Sequence, residues 1–110
     1  MTDLLQELEQ MRSELHTSMK MLRQNGEKLA QAEHDYQVIK AQTWLVLKDK
    51  GCTSTELQST IKGQDAVAKA MLKRDIAEAM YEANKEHINV VKLELRVVES
   101  QINREWNSNG

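Results

Sequence analysis

From Leu4 to Val46 the apolar residues recur at steps of three and four and fall into two columns. One reads Leu8, Leu15, Leu22, Leu29, Tyr36 and Thr43; the other reads Leu4, Met11, Ser18, Asn25, Ala32, Ile39 and Val46. A heptad spans about two helical turns, so both columns lie on one face of a helix. The pattern predicts a helix over 3–50, capped at its start by Thr2 or Asp3. Gly51, coming after Lys48 and Lys50, is its expected stop. The second column weakens at Ser18 and Asn25, and Gly26 follows directly. Asn-Gly is a turn signal, so a break there is the alternative to one continuous helix. Leu22 and Leu29 hold the register across the pair, which favours continuity.

The stretch 51–65 is the punctuated part of the chain. Thr53-Ser54-Thr55-Glu56 fits a capping box, with Thr53 capping the backbone of Glu56 and Glu56 reaching back. A short helix over 54–62 would carry Leu57 and Ile61 on one face and end at Gly63. Asp65 then opens the last helix, expected over 65–106. Its apolar stripe reads Ala77, Met80 or Tyr81, Asn84, Ile88, Val91, Leu95, Val98, Ile102 and Trp106. The run Val91-Lys92-Leu93-Glu94-Leu95-Arg96-Val97 alternates as a strand would. Helical spacing extends on both sides of it, and a lone strand would have nothing to pair with, so the helical reading stands.

Two long helices joined by a short connector give an all-α antiparallel hairpin, coiled-coil-like, as a single helical domain over 1–110. Folding at about residue 57 would set Trp44 near Ala70, Asn25 near Ile88 and Asn89, and Trp106 near Leu4 and Leu8. The small and polar layer at Ser18 and Asn25 would then face bulky Ile88 and Val91. One seam cannot cover every apolar residue. Leu5, Met19 and Met21 on the first helix and Val90, Leu93 and Val97 on the last are in excess. At ~25 cal/mol per Å² their exposure forfeits several kcal/mol, which association recovers. The expected assembly is a homo-oligomeric bundle with Val90, Leu93, Val97 and Met19 in its interface, although a different protein partner would serve the same surfaces.

Composition agrees with long helices: there is no proline, and the absence of phenylalanine leaves the seams to aliphatic residues. A net charge of −2 gives no global attraction to nucleic acid or an anionic membrane. One cysteine, Cys52, permits no internal disulfide and fits a reducing compartment. The polar, acidic start and the lack of a long apolar run predict neither a secretory leader nor a membrane span. The expectation is a cytoplasmic protein.

No catalytic or cofactor site is expected. Di-metal bundles use Glu-x-x-His, but the residues three before His16, His34 and His87 are Ser13, Gln31 and Asn84. Cys52 has no histidine near it in sequence to act as its base, and no Gly-Lys-Ser/Thr follows the glycines. Charge is more informative. Residues 40–75 hold seven basic and four acidic side chains, against eight and thirteen elsewhere. That makes the turn end basic, with Lys62, Lys69, Lys73 and Arg74 as candidate contacts to phosphates or an acidic partner. The Gly51 turn and capped helix also resemble, loosely, a helix-turn-helix entry.

Three segments carry a resemblance to a known group: Arg74 to Asn84, His87 to Leu95 and Gln101 to Trp106, with Ala32-Glu-His-Asp-Tyr36 on the first helix. Together they resemble short, mostly uncharacterised helical proteins of phages and prophages of Gram-positive bacteria. The resemblance brings no catalytic motif. It implies a bacterial host cytoplasm and a small early phage protein concerned with replication, recombination or countering host defence. Secreted helical hairpins with a Trp-x-Gly turn fit less well, because Trp44 is followed by Leu45-Val46. The functional expectation is a non-enzymatic scaffold or adaptor, with a nucleic-acid-binding accessory protein as the alternative.

Overall fold

The computed structural model describes residues 2–109, and the side chains of 3–108. Helix α1 runs Thr2–Asp49, α2 runs Ser54–Thr60 into a 3-10 turn at Ile61–Gly63, and α3 runs Asp65–Asn109. There is no strand among the described residues. The alternating run 91–97 lies within α3, and α1 passes through Asn25-Gly26 unbroken. The side chain of Thr2 lies outside the described residues, and Asp3 stands in the first turn of α1 rather than before it. The chain divides into two compact units, one made of 1–24 with 82–110 and the other of 25–81.

Local signals set the helix ends. Gly51 takes φ 97°, a left-handed conformation that a side chain disfavours. Its N–H donates to the Lys48 carbonyl at 3.0 Å and that of Cys52 to the Leu47 carbonyl at 3.1 Å. These two bonds make a Schellman close, satisfying carbonyls that the helix end would otherwise orphan. At Thr53 the capping box is complete: Glu56 N–H donates to Thr53 Oγ1 at 3.2 Å, and Thr53 N–H to Glu56 Oε2 at 3.3 Å.

In the unit 25–81 the connector supplies part of the core. Leu57 and Ile61 are buried, and Ile61 clusters with Tyr36, Val67 and Ala70, against which Ile39, Trp44 and Met71 pack. The α1 and α3 segments are antiparallel here, since Gly26 adjoins Tyr81 and Glu33 pairs with Arg74. That register differs from a fold centred on residue 57, which would set Arg74 opposite Lys40, one heptad further on. The physical cause is the connector. Ile61 shares one buried cluster with Tyr36 of α1 and Val67 and Ala70 of α3, so the connector is part of the core that α3 packs on as it begins. Val46 is exposed as a result, and of Met80 and Tyr81 it is Tyr81 that turns inward.

In the other unit two helical segments make the whole core. Ile88, Val91, Leu95 and Val98 are buried on α3, while Leu4, Leu8, Met11, Leu15 and Leu22 of α1 are half-buried. Burying such side chains is worth roughly 1.5–3 kcal/mol each when complete. The polar layer also departs from expectation. Ser18 is buried, and its carbonyl accepts a 3.1 Å hydrogen bond from the side-chain amide of Asn84. A polar residue therefore fills the space assigned above to Ile88 and Val91. The displaced register accounts for it: an amide that donates to backbone can be buried at small cost, whereas unpaired it would lose roughly 1–3 kcal/mol. With Asn84 against Ser18, α1 runs out of residues before α3 reaches Trp106, which is 72 % exposed instead of packed on Leu4 and Leu8.

Candidate interaction surface

The residues that a single seam could not cover are left on the surface. Val90, Leu93 and Val97 are exposed on α3, as are Leu5, Met19 and Met21 on α1. The cause is angular: Leu93 lies two residues from both Val91 and Leu95, so about 200° of helix separates it from the buried stripe. Shallow clefts form around these side chains. One is lined by Met11 of α1 with Leu93, Val97 and Val98 of α3, and rimmed by Glu7, Glu94 and Gln101. Sequence reading missed a second exposed set in the unit 25–81, comprising Leu72, Ile76 and Met80. Their signal was present as steps of four. It was masked by the charged residues between them and by Arg74, which occupies a seam position.

Arg74 shows how a cation serves in a helix seam. Its guanidinium lies 4.4 Å from the centre of the buried Tyr36 ring, while Lys40 Nζ lies 5.7 Å from it. Arg74 Nη1 is 3.5 Å from Glu33 Oε2, and Nη2 donates to Asp75 Oδ1 at 3.0 Å. The hydrogen bonds to Asp75, helped by the nearby charges of Asp75 and Glu33, raise its pKa above the ordinary arginine value. The side chain is thus a fixed cation stacked on an aromatic face.

The other three candidate cations are exposed. Lys62 lies on the 3-10 turn, and Lys69 pairs with Asp65 at 2.9 Å across one helical turn. Lys69 and Lys73 share a cleft of about 480 Å³ with Lys28, which the sequence reading did not single out. Its lining includes Ile39 and the small Ala32, Ala66 and Ala70, which leave a concavity between α1 and α3, together with the carboxylate of Asp35. Lys62 and Arg74 are not part of that lining. Arg74 instead borders a separate cleft with Glu33, Glu78 and Tyr81. Adjacent residues 73 and 74 diverge because neighbours on a helix point about 100° apart.

His87 Nε2 meets Glu14 Oε1 at 3.0 Å on the surface of the unit formed by 1–24 and 82–110. Among the described residues no group of three His, Cys, Asp or Glu side chains is placed to hold a metal ion. Cys52 is half-buried and carries a free thiol just beyond the Schellman close. Among the described residues no helix is long and apolar enough to cross a membrane. Comparison with protein-family models, with curated proteins and with solved structures gave no match to this chain, so any functional reading rests on these surfaces.

Proposed function

We propose that this protein is a non-enzymatic helical scaffold or adaptor that works by protein–protein contact and self-association. The observation that carries the reading is the exposure of Val90, Leu93 and Val97 on a helix whose opposite stripe is already buried. Contiguous apolar surface in water is costly, and covering it is the common reason for its presence. Met19 offers a further exposed apolar side chain on α1. The resemblance to small phage and prophage proteins supports a role in phage replication, recombination or counter-defence, in a bacterial host cytoplasm. Sedimentation velocity over a range of micromolar concentrations tests the reading. A species heavier than the 12.7 kDa chain supports it, and a persistent 12.7 kDa species overturns self-association.

A second reading, a nucleic-acid-binding accessory protein, draws support from the three lysines around the cleft in the unit 25–81. Binding through phosphates would weaken steeply with salt, whereas apolar docking would not. Retarded DNA at ~50 mM salt that is released at higher salt would favour it. Replacing Lys62, Lys69, Lys73 and Arg74 together by glutamine should then abolish the retardation. No retardation at tens of micromolar protein would retire it.

A further inference from the structure

Away from the seam, α3 carries two exposed apolar tracts whose spacings mirror each other. In the unit 25–81 Leu72 and Ile76 are followed by the small Ala79, a step of four and then of three, with the exposed Met80 beside it at the edge of the tract. In the other unit it is Val90, Leu93 and Val97, a step of three and then of four. All six side chains are exposed. Read backwards, the second tract has the spacing of the first. Helices packed antiparallel therefore bring Leu72 to Val97, Ile76 to Leu93 and Ala79 to Val90 in successive layers, whereas a parallel pair in register layers each residue on its own copy.

We propose that α3 of one copy packs antiparallel on α3 of a second copy, the Leu72-Ile76-Ala79 tract of each against the Val90-Leu93-Val97 tract of the other. The proposal rests on the self-association reading above and names its surface, orientation and register.

The charges beside the tracts match this pairing. Lys73 follows Leu72 and Asp75 precedes Ile76; Glu94 follows Leu93 and Arg96 precedes Val97. In the antiparallel register Lys73 comes alongside Glu94 of the second copy and Asp75 alongside its Arg96. These flanking positions are the ones that choose orientation in paired helices. Asp75 is already shared with Arg74 at 3.0 Å, so the Lys73–Glu94 pair is the cleaner one to perturb. The gap between the tracts points the same way. Glu86 would lie beside the small Ala83 of an antiparallel neighbour, but a parallel neighbour would stack Glu86 on Glu86, two like charges in one layer.

Cross-linking decides it. The full chain carrying Cys52→Ser, Ile76→Cys and Leu93→Cys is oxidised and its disulfides mapped by peptide mass. Residues 76 and 93 of one copy are nearly five turns apart on one helix and cannot join each other. The expected product is a covalent dimer linking 76 of one copy to 93 of the other. Links of 76 to 76 or 93 to 93 would overturn the antiparallel register. Failure to cross-link, with the unmodified protein still sedimenting as an oligomer, would overturn this interface and leave self-association intact. A monomeric unmodified protein would remove both. Charge exchange gives an independent reading on exposed, fold-neutral positions. Lys73→Glu turns two attractive pairs per dimer into two repulsive ones and should weaken association on the order of ten-fold. Lys73→Glu with Glu94→Lys should restore it; a double variant as weak as the single one would overturn the pairing.

Discussion

Replacing Gly26 by alanine should stabilise the protein. Gly26 lies inside α1, where glycine costs about 0.8–1 kcal/mol relative to alanine through backbone entropy. A Cβ there would stand 3.5 Å from Tyr81 Cε2 and 4.0 Å from Cδ2, ordinary contact distances that call for no movement. The methyl group would cover part of the ring and add a few tenths of a kcal/mol more. The expected gain is about 1 kcal/mol, which for a domain of this size raises Tm by roughly 3–6 °C. Gly51→Ala is the control. Nothing lies within 4 Å of a Cβ at Gly51, so sterics with neighbours are absent, but φ of +97° is unfavourable for alanine. That change should cost about 1–2 kcal/mol. Both variants would be melted by circular dichroism at 222 nm at one fixed protein concentration, because association shifts Tm with concentration. If Gly26→Ala destabilised the protein, either α1 breaks at Asn25-Gly26 or Tyr81 is not packed there, and the register of the unit 25–81 would fall with it.

Two other outcomes follow from the unit formed by 1–24 and 82–110. Leu95 is buried and Leu93 is 58 % exposed, so Leu95→Ala should cost about 2–5 kcal/mol and Leu93→Ala little at concentrations where the chain is monomeric. Equal effects in urea titrations would refute the assigned seam. Asn84→Ala should cost about 1–2 kcal/mol by removing the donor to the Ser18 carbonyl, and a neutral result would show that the amide does not set the register.

Much of the architecture was legible because it is written in local signals. The heptad columns from Leu8 to Thr43 are buried or half-buried throughout, and Gly51, Thr53 with Glu56, and Asp65 mark the helix ends as read. Val90, Leu93, Val97 and Met19 were recognised as surplus because they break away from a stripe that sequence alone reveals. Register was not legible. Repeated leucines look alike after a shift of one heptad, so the columns score equally well in either alignment. What decides is the burial of Ile61 in one cluster with Tyr36, Val67 and Ala70, a grouping of connector and helices that periodicity does not encode. Leu72 and Ile76 escaped notice for a related reason. With Arg74 at a seam position, the buried stripe of α3 was traced only from Ala77 onward, leaving no frame in which they were outliers. A charged residue in a seam looks like solvent-facing chain until the Tyr36 ring beneath it is seen.

The burial of the connector bears on the order in which contacts can form. Ile61 with Val67 and Ala70 closes loops of only a few residues, and the Arg74–Glu33 pair spans 41, whereas Asn84 reaches Ser18 across 66. Closing a longer loop costs more chain entropy unless an intervening segment is already ordered. Assembly should therefore start at the capped connector and advance away from it like a zip fastener, each closed turn shortening the effective loop for the next. Opening should run in reverse. Amide hydrogens of Ile61 and Ala70 would then exchange more slowly than those of Ile102, and the far ends of α1 and α3 would be the first to come apart while the turn stays closed.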